Sequence, residues 1–176
     1  FDIGTSGGAA AGWTTTAGAA HLGANTLLIE KDKVLGGDCL HFGCVPSKTL
    51  IKSAHIYHQM KNAADFGLPT VELSPVDFRD IAKRIKRVID TIQKHDSEER
   101  FCKLVAKVVF GEAVFADQHT VSVDGRSYSA KNWLVSTGSS PVAPPIPGMA
   151  ETPYLTNREI FYMDRLPFSM LVLGAG

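Results

Sequence analysis

Cys39, Cys44 and Lys48, in Gly36-Gly-Asp-Cys-Leu-His-Phe-Gly-Cys-Val-Pro-Ser-Lys48, have residue types and spacing suited to redox chemistry. On a regular helix, residues five apart such as Cys39 and Cys44 have Cα atoms roughly 8–9 Å apart, on diverging faces. A disulfide needs about 4.4–6.8 Å. A bond between them therefore requires a turn or a distorted helix start, and Gly43 offers backbone freedom for one. A helix expected from about Pro46 to Ala64 would put both sulfurs near its positive end, where a thiolate is stabilised, with Lys48 adding a cation. Two other readings stay open. Cys39, His41 and Cys44, with His55 or His58, could contribute to a zinc site, although structural zinc wants four ligands and short paired spacings. The two cysteines could also be unrelated buried thiols. Cys102 reads as a core residue at the apolar end of a long helix.

A second cluster, Gly7-Gly8-Ala9-Ala10-Ala11-Gly12, registers with the dinucleotide fingerprint of a strand-turn-helix unit. Gly7 would take the tight turn, and Gly12 would let the helix lie close on the sheet. The helix N-terminal amides would face a pyrophosphate. Glu30, about 20 residues on, is placed to hydrogen-bond ribose hydroxyls. Two features depart from the pattern. Ala9 stands at the middle glycine, where a methyl overpacks by about 1–3 kcal/mol unless the loop shifts. Phe1 to Ser6 is short and polar for a central parallel strand. The alternative is an ordinary Gly/Ala-rich turn that binds nothing.

The elements that must position these groups follow from pattern. An Ala-rich helix runs from the glycines to Leu22 and is closed by Gly23. Asn25 to Glu30 reads as a buried strand. Ser74-Pro75-Val76-Asp77 signals a helix start with Ser74 as cap. The stripe Phe78, Ile81, Ala82, Ile85, Val88, Ile89 and Ile92 that follows faces a core. Lys83, Arg84, Lys86 and Arg87 lie off the stripe as a solvated face. Val108 to Phe115, Thr120 to Val123 and Arg126 to Ser129 read as strands, with Asp124-Gly125 as a hairpin turn. Trp133 to Ser136 is a further strand leading into Thr137-Gly138-Ser139. A Pro-rich stretch from Pro141 to Pro153 follows, and Leu171 to Gly176 echoes the first glycine cluster.

Composition narrows the class. The 176 residues are 44% hydrophobic and 20% charged, enough for a real core. Eighteen basic and eighteen acidic residues cancel, so no global charge steers the chain to nucleic acid or anionic lipid. No apolar run approaches the ~20 residues of a bilayer span. Neither nucleic acid nor membrane is expected as a partner. No leader opens the chain, and three cysteines are too few for a secreted disulfide scaffold, so a soluble cytoplasmic protein is expected.

The cysteine segment resembles the redox motif of the two-domain pyridine nucleotide-disulfide oxidoreductases, the family of dihydrolipoamide dehydrogenase, glutathione reductase and mercuric reductase. Their usual form is Gly-Gly-Thr-Cys-x-x-x-Gly-Cys-Val-Pro-Ser-Lys, and Asp38 stands here in place of Thr. Gly7 to Glu30, Thr137-Gly138-Ser139 and Gly174-Ala175-Gly176 are similar to the family's FAD fingerprint, second flavin turn and NAD(P) fingerprint opening. The resemblance implies an α/β fold: a three-layer, Rossmann-like FAD-binding domain with a parallel sheet and an inserted β-meander, ending before the NAD(P) domain. It implies residues 1–148 as the first part of that domain, and 149–176 as a linker and first strand of the next. Cys44 would be the flavin-proximal thiol, Cys39 the interchange thiol, and Lys48 a neighbour of the flavin. Gly7, Gly8, Ala9, Gly12, Glu30, Lys31, Gly37, Asp38, Thr137, Gly138 and Ser139 would line FAD, and no residue is assigned to a metal. NAD(P) would be the second cofactor, a dithiol or disulfide the substrate, and a homodimer the assembly. A mercuric-reductase-like reduction of metal ions and an inactive flavin-binding fragment are the alternatives.

Overall fold

The computed structural model describes residues 1–94, 97, 99, 103 and 106–174. β1 (Ile3–Ser6), β2 (Thr26–Glu30), β3 (Ala106–Phe110) and β7 (Asn132–Val135) form one fully parallel sheet in the order β3-β2-β1-β7. Every residue of β2 is buried, as a strand covered on both faces must be. Its side chains alternate. Leu28 packs with Ala17 of α1 (Ala10–His21) and with Leu35, while Leu27 and Ile29 pack with Val121 and Val123 on the other face. Those valines belong to β5 (Thr120–Val123), the middle strand of an antiparallel sheet with β4 (Val114–Phe115) and β6 (Arg126–Ser129). Helix, parallel sheet and β-meander are the three expected layers.

Local chemistry explains most boundaries. At the end of α1, Gly23 takes φ +87° and the Ala24 and Gly23 amides donate to the Ala19 and Ala20 carbonyls, which closes the helix as its spacing suggests. Asp124 (φ +48°) and Gly125 (φ +76°) make the two-residue turn between β5 and β6. The polar first strand is compatible with burial because the Thr16 hydroxyl lies 3.0 Å from Thr5 Oγ1, both residues being fully buried. Each satisfies the other across the helix–sheet interface.

Three expectations are corrected. Val108 to Phe115 is not one strand. It breaks at Gly111 (φ +146°), whose amide donates to the Glu30 carbonyl at 2.8 Å and whose missing Cβ leaves room for Val123. The chain leaves the parallel sheet there and enters the meander. Ser74 does not cap the next helix: α4 spans Phe78–Gln93 and is capped by Asp77, whose Oδ1 accepts the Arg79 amide at 2.9 Å. The helix begins where its buried stripe begins, at Phe78. Arg84 is not purely solvated, since it donates to the Thr49 carbonyl at 3.0 Å.

α2 (Gly37–His41), α3 (Cys44–Lys61) and α4 enclose a separate core of Leu40, Ile85 and Ile89, flanked by Val45, Leu50, Ile81 and Ile92. A short 3-10 turn, Ile160–Tyr162, inserts Phe161 into it. Leu171, Val172 and Leu173 are exposed and form no strand; a single segment without a neighbour has no ladder to join. Cys102, Ala175 and Gly176 lie outside the described residues. Among the described residues no helix is long and apolar enough to cross a membrane.

Candidate functional site

In a parallel sheet, ligands bind at the carboxyl ends of the strands, where neighbouring strands run off in opposite directions. Here that edge lies at β1, with β2 on one side and β7 on the other, and most of the expected residues converge on it. Ser6, the last residue of β1, is level with Ile29 and Val135. Gly7 follows at φ +106°, its amide donating to the Ile29 carbonyl at 2.8 Å. Beta carbons on Gly7 or Gly12 would collide with the Ser136 and Gly7 carbonyls respectively. The turn is therefore pressed between helix and sheet, and both glycines are required by space.

Glu30 ends β2 and is only 6% exposed. Its Oε2 accepts the Gly8 amide at 2.6 Å and Oε1 the Asp32 amide at 2.8 Å. A carboxylate has about four lone-pair directions, so capacity remains for ligand hydroxyls. Lys31 beside it is exposed. Thr137, Gly138 and Ser139 leave β7 at the same edge, exposed, with Gly138 at φ +72°. Ser136, absent from the sequence-derived set, braces the turn. Its amide donates to the Ser6 carbonyl at 2.8 Å, and its hydroxyl lies 3.1 and 3.0 Å from the Ser6 and Gly7 carbonyls. A small hydroxyl at a strand end carries no signal of that role.

α1 opens on this edge without a capping side chain and without an acid in its first turn. Such a helix start is open to an anion, which its amides and dipole favour. Ala9 precedes the helix, and its methyl lies where a Cβ on Gly37 would be, 2.4 Å away. The methyl is thus housed against a residue that has no side chain and itself takes φ +55°.

The cysteine loop sits directly on the glycine turn. The Gly36 amide donates to the Gly8 carbonyl at 3.0 Å, and Ala9 and Gly36 form an isolated parallel bridge. Cys39 lies on α2, half-buried, and Cys44 is the first residue of α3, exposed. The required distortion between them is a break at Phe42 and Gly43. Gly43 does not serve by a left-handed backbone, since its φ is −136°. A Cβ there would lie 2.8 Å from the Asp38 carbonyl and 3.4 Å from Cys39 Cα, so its role is close approach. α3 begins two residues before the expected Pro46, which occupies its first turn, where a missing amide costs nothing. Lys48 is exposed on α3. Asp38, placed among cofactor contacts by sequence, pairs with Arg158 at 3.1 Å. Among the described residues no three His, Cys, Asp or Glu side chains cluster as a metal site.

The profile of the family described as "Pyridine nucleotide-disulphide oxidoreductase" matches residues 6–176. A mercuric reductase of Bacillus cereus is 35% identical over 175 residues, which cover 97% of this chain and 26% of that protein. A dihydrolipoyl dehydrogenase of Acholeplasma laidlawii is 33% identical over 180 residues, covering 100% and 53%. The HOCl-induced flavoprotein disulfide reductase RclA from Escherichia coli superposes with a TM-score of 0.75 at 25% identity, covering 95% of this chain and 35% of that one. The chain spans about a quarter to a half of the length of these relatives.

Proposed function

The chain belongs to the pyridine nucleotide-disulphide oxidoreductase family, and on that footing we propose that it forms the flavin site and redox dithiol of an FAD-dependent oxidoreductase. Electrons would pass between NAD(P)H, flavin and the Cys39–Cys44 pair to a dithiol or disulfide substrate. The observation that carries this reading is the seat of the cysteine loop on the glycine turn, through the Gly36 amide and the Ala9–Gly36 bridge. One crevice then serves both nucleotide and thiols.

FAD, when bound, supplies the hydride and electron chemistry that no side chain can. The amides opening α1 would hold its pyrophosphate, and Glu30, already fixed by two amides, would orient ribose hydroxyls. Lys31, Gly37, Asp38, Thr137, Gly138, Ser139 and Lys48 would complete the surround. At the dithiol, the Cys39 thiolate attacks a substrate disulfide, forming a mixed disulfide and releasing one substrate thiolate. Cys44 then attacks the Cys39 sulfur. The Cys39–Cys44 bond forms and the second substrate thiolate leaves, so two electrons move from protein to substrate. The reverse sequence oxidises a dithiol. Residues 1–148 would be the first part of the flavin unit, with 149–176 connecting to the nicotinamide-binding region. A homodimer in the cytoplasm is proposed for the whole protein.

The likeness to mercuric reductase favours one second reading, in which the same thiols deliver a metal ion for reduction. A first experiment is the visible spectrum of the purified chain with and without added FAD, before and after dithiothreitol. Flavin absorbance that gains a long-wavelength band on reduction, and loses it in Cys44→Ser, supports the shared crevice. A colourless chain that takes up no FAD refutes flavin binding and leaves only shared ancestry. Mercuric ion that reoxidises the reduced chain favours the metal reading over a disulfide substrate that fails to do so.

A further inference from the structure

Residues 156–162 fold back onto the cysteine loop through three side chains. Asn157 Nδ2 donates to the Phe42 carbonyl at 3.1 Å, and the Tyr162 hydroxyl to the His41 carbonyl at 3.2 Å. Between them Arg158 donates to Asp38 Oδ1 at 3.1 Å, its guanidinium 4.8 Å from the centre of the Phe42 ring. Phe161, buried with Leu40, Ile85 and Ile89, anchors the segment. Glu159 stiffens its start by accepting from the Thr156 amide and hydroxyl at 2.7 and 2.6 Å. The three contacted residues, Asp38, His41 and Phe42, either adjoin Cys39 or lie between the two cysteines.

We propose that residues 156–162 are a clasp that positions the cysteine loop, in which Arg158 neutralises the Asp38 carboxylate next to Cys39. The proposal rests on the reading of Cys39 and Cys44 as an exchange pair. A carboxylate beside a thiol opposes formation of the thiolate, which is the reacting form. An ion-paired cation cancels that opposition. Arg158 is thus a positioning residue that acts through Asp38, while Asn157 and Tyr162 hold the intervening backbone. The pair is 40% and 42% exposed, so water and salt screen it and the effect is several-fold rather than orders of magnitude. Other charged or titratable groups about the loop include Cys44, the His41 ring, 3.1 Å from the Leu35 carbonyl, Lys48 on α3, Glu159, and Tyr162, on which Lys86 and Asp90 of α4 act. None of them changes when residues 38 and 158 are substituted.

The test is the rate of iodoacetamide alkylation at Cys39 and at Cys44 in the reduced full chain, resolved by mass spectrometry. Wild type is compared with Arg158→Met, Arg158→Lys, Asp38→Asn and the double variant Asp38→Asn/Arg158→Met, at low and high salt. The charge pair predicts Cys39 slowed roughly three- to tenfold in Arg158→Met and accelerated in Asp38→Asn. The double variant and Arg158→Lys should stay within about twofold of wild type, and all differences should shrink in high salt. A clasp that merely encloses the loop would instead speed Cys39 in every variant as the loop opens. That pattern, or equal rates throughout, overturns the proposal. Should Arg158→Met fail to fold, the salt dependence of Asp38→Asn decides: an acceleration that shrinks in high salt supports the charge pair, and one that salt leaves unchanged overturns it. Equilibrating the wild-type chain in a glutathione redox buffer separates the two levels of inference. A chain that never forms the Cys39–Cys44 disulfide refutes the exchange pair and the clasp with it. A chain that forms it, with alkylation unmoved by the variants, refutes the clasp only.

Discussion

Gly12→Ala tests the way the candidate nucleotide crevice is built. A Cβ added at Gly12 would lie 1.8 Å from the Gly7 carbonyl oxygen and 2.8 Å from Ser136 Oγ. Ordinary contact begins near 3.4 Å, so the start of α1 must retreat by about 1.5 Å. Neither obstacle yields readily. The Gly7 carbonyl belongs to the turn that enters the helix, and the Ser136 hydroxyl is held between two carbonyls. A retreat of that size opens the contacts of Trp13 and Ala17 with Leu28 and Leu35, and a radial gap of even 0.5–1 Å forfeits a quarter to a half of the dispersion well. Overpacking of a close-packed site costs about 1–3 kcal/mol, and a clash with braced backbone belongs at the upper end, near ~3 kcal/mol. Against a total of about 5–15 kcal/mol, urea unfolding followed by tryptophan fluorescence should register a large fall in midpoint at nearly constant slope. Gly18→Ala is the matched control. It lies on the same helix with open space where its Cβ would be, and should stabilise by about 0.4–1 kcal/mol. A Gly12→Ala chain within about 0.5 kcal/mol of wild type, or a Gly18→Ala chain equally destabilised, would refute close approach as the reason for the glycine.

Three other predictions follow from the same packing. Thr5→Val and Thr16→Val should each cost about 1–2 kcal/mol, because each strands the other's buried hydroxyl, while the double variant should be nearly neutral; additive losses in urea titrations would show that the two hydroxyls are not coupled. Gly37→Ala should destabilise by about 2 kcal/mol, because its methyl would meet that of Ala9 and φ is +55°. Adding Ala9→Gly should recover part of that loss but not the backbone strain, and no recovery would place the clash elsewhere. At the α4 cap, the Arg79 side chain and amide hold Asp77 down to about 2, from an ordinary value near 3.8. A lowered carboxylate contributes stability above its unfolded value, and that contribution is lost as pH falls from about 4 through about 2. The stability difference between wild type and Asp77→Asn should therefore be constant above pH 5 and shift in wild type's disfavour below pH 4, which parallel urea titrations would reveal or exclude.

The elements that carry local signals were legible. The stripe from Phe78 to Ile92 faces a core because helical periodicity alone puts those side chains on one side. Asp124-Gly125 turns between strands because those residues tolerate positive φ. The glycine cluster, Glu30 and the two cysteines stand out because close approach and thiol chemistry admit few residue types. Where two local signals compete, the pattern misleads. Ser74 and Asp77 are both good caps, and burial of Phe78 chose between them. Val108 to Phe115 has continuous β character, and only the layer above it decides that Gly111 must turn away.

By itself, then, the chain's order of residues determined its α/β class, its glycine turn and its candidate dithiol, all of which depend on neighbours close in sequence. Tertiary structure alone decided how these parts meet. Glu30 ties down the Gly8 amide across 22 residues, Ser136 braces Gly7 across 129, and Arg158 reaches Asp38 across 120. Such contacts leave no period or spacing behind, because hydrogen bonds and ion pairs form wherever the packed layers bring their partners together. The β-meander stacked on the sheet and Phe161 driven into the helical core set those meeting points.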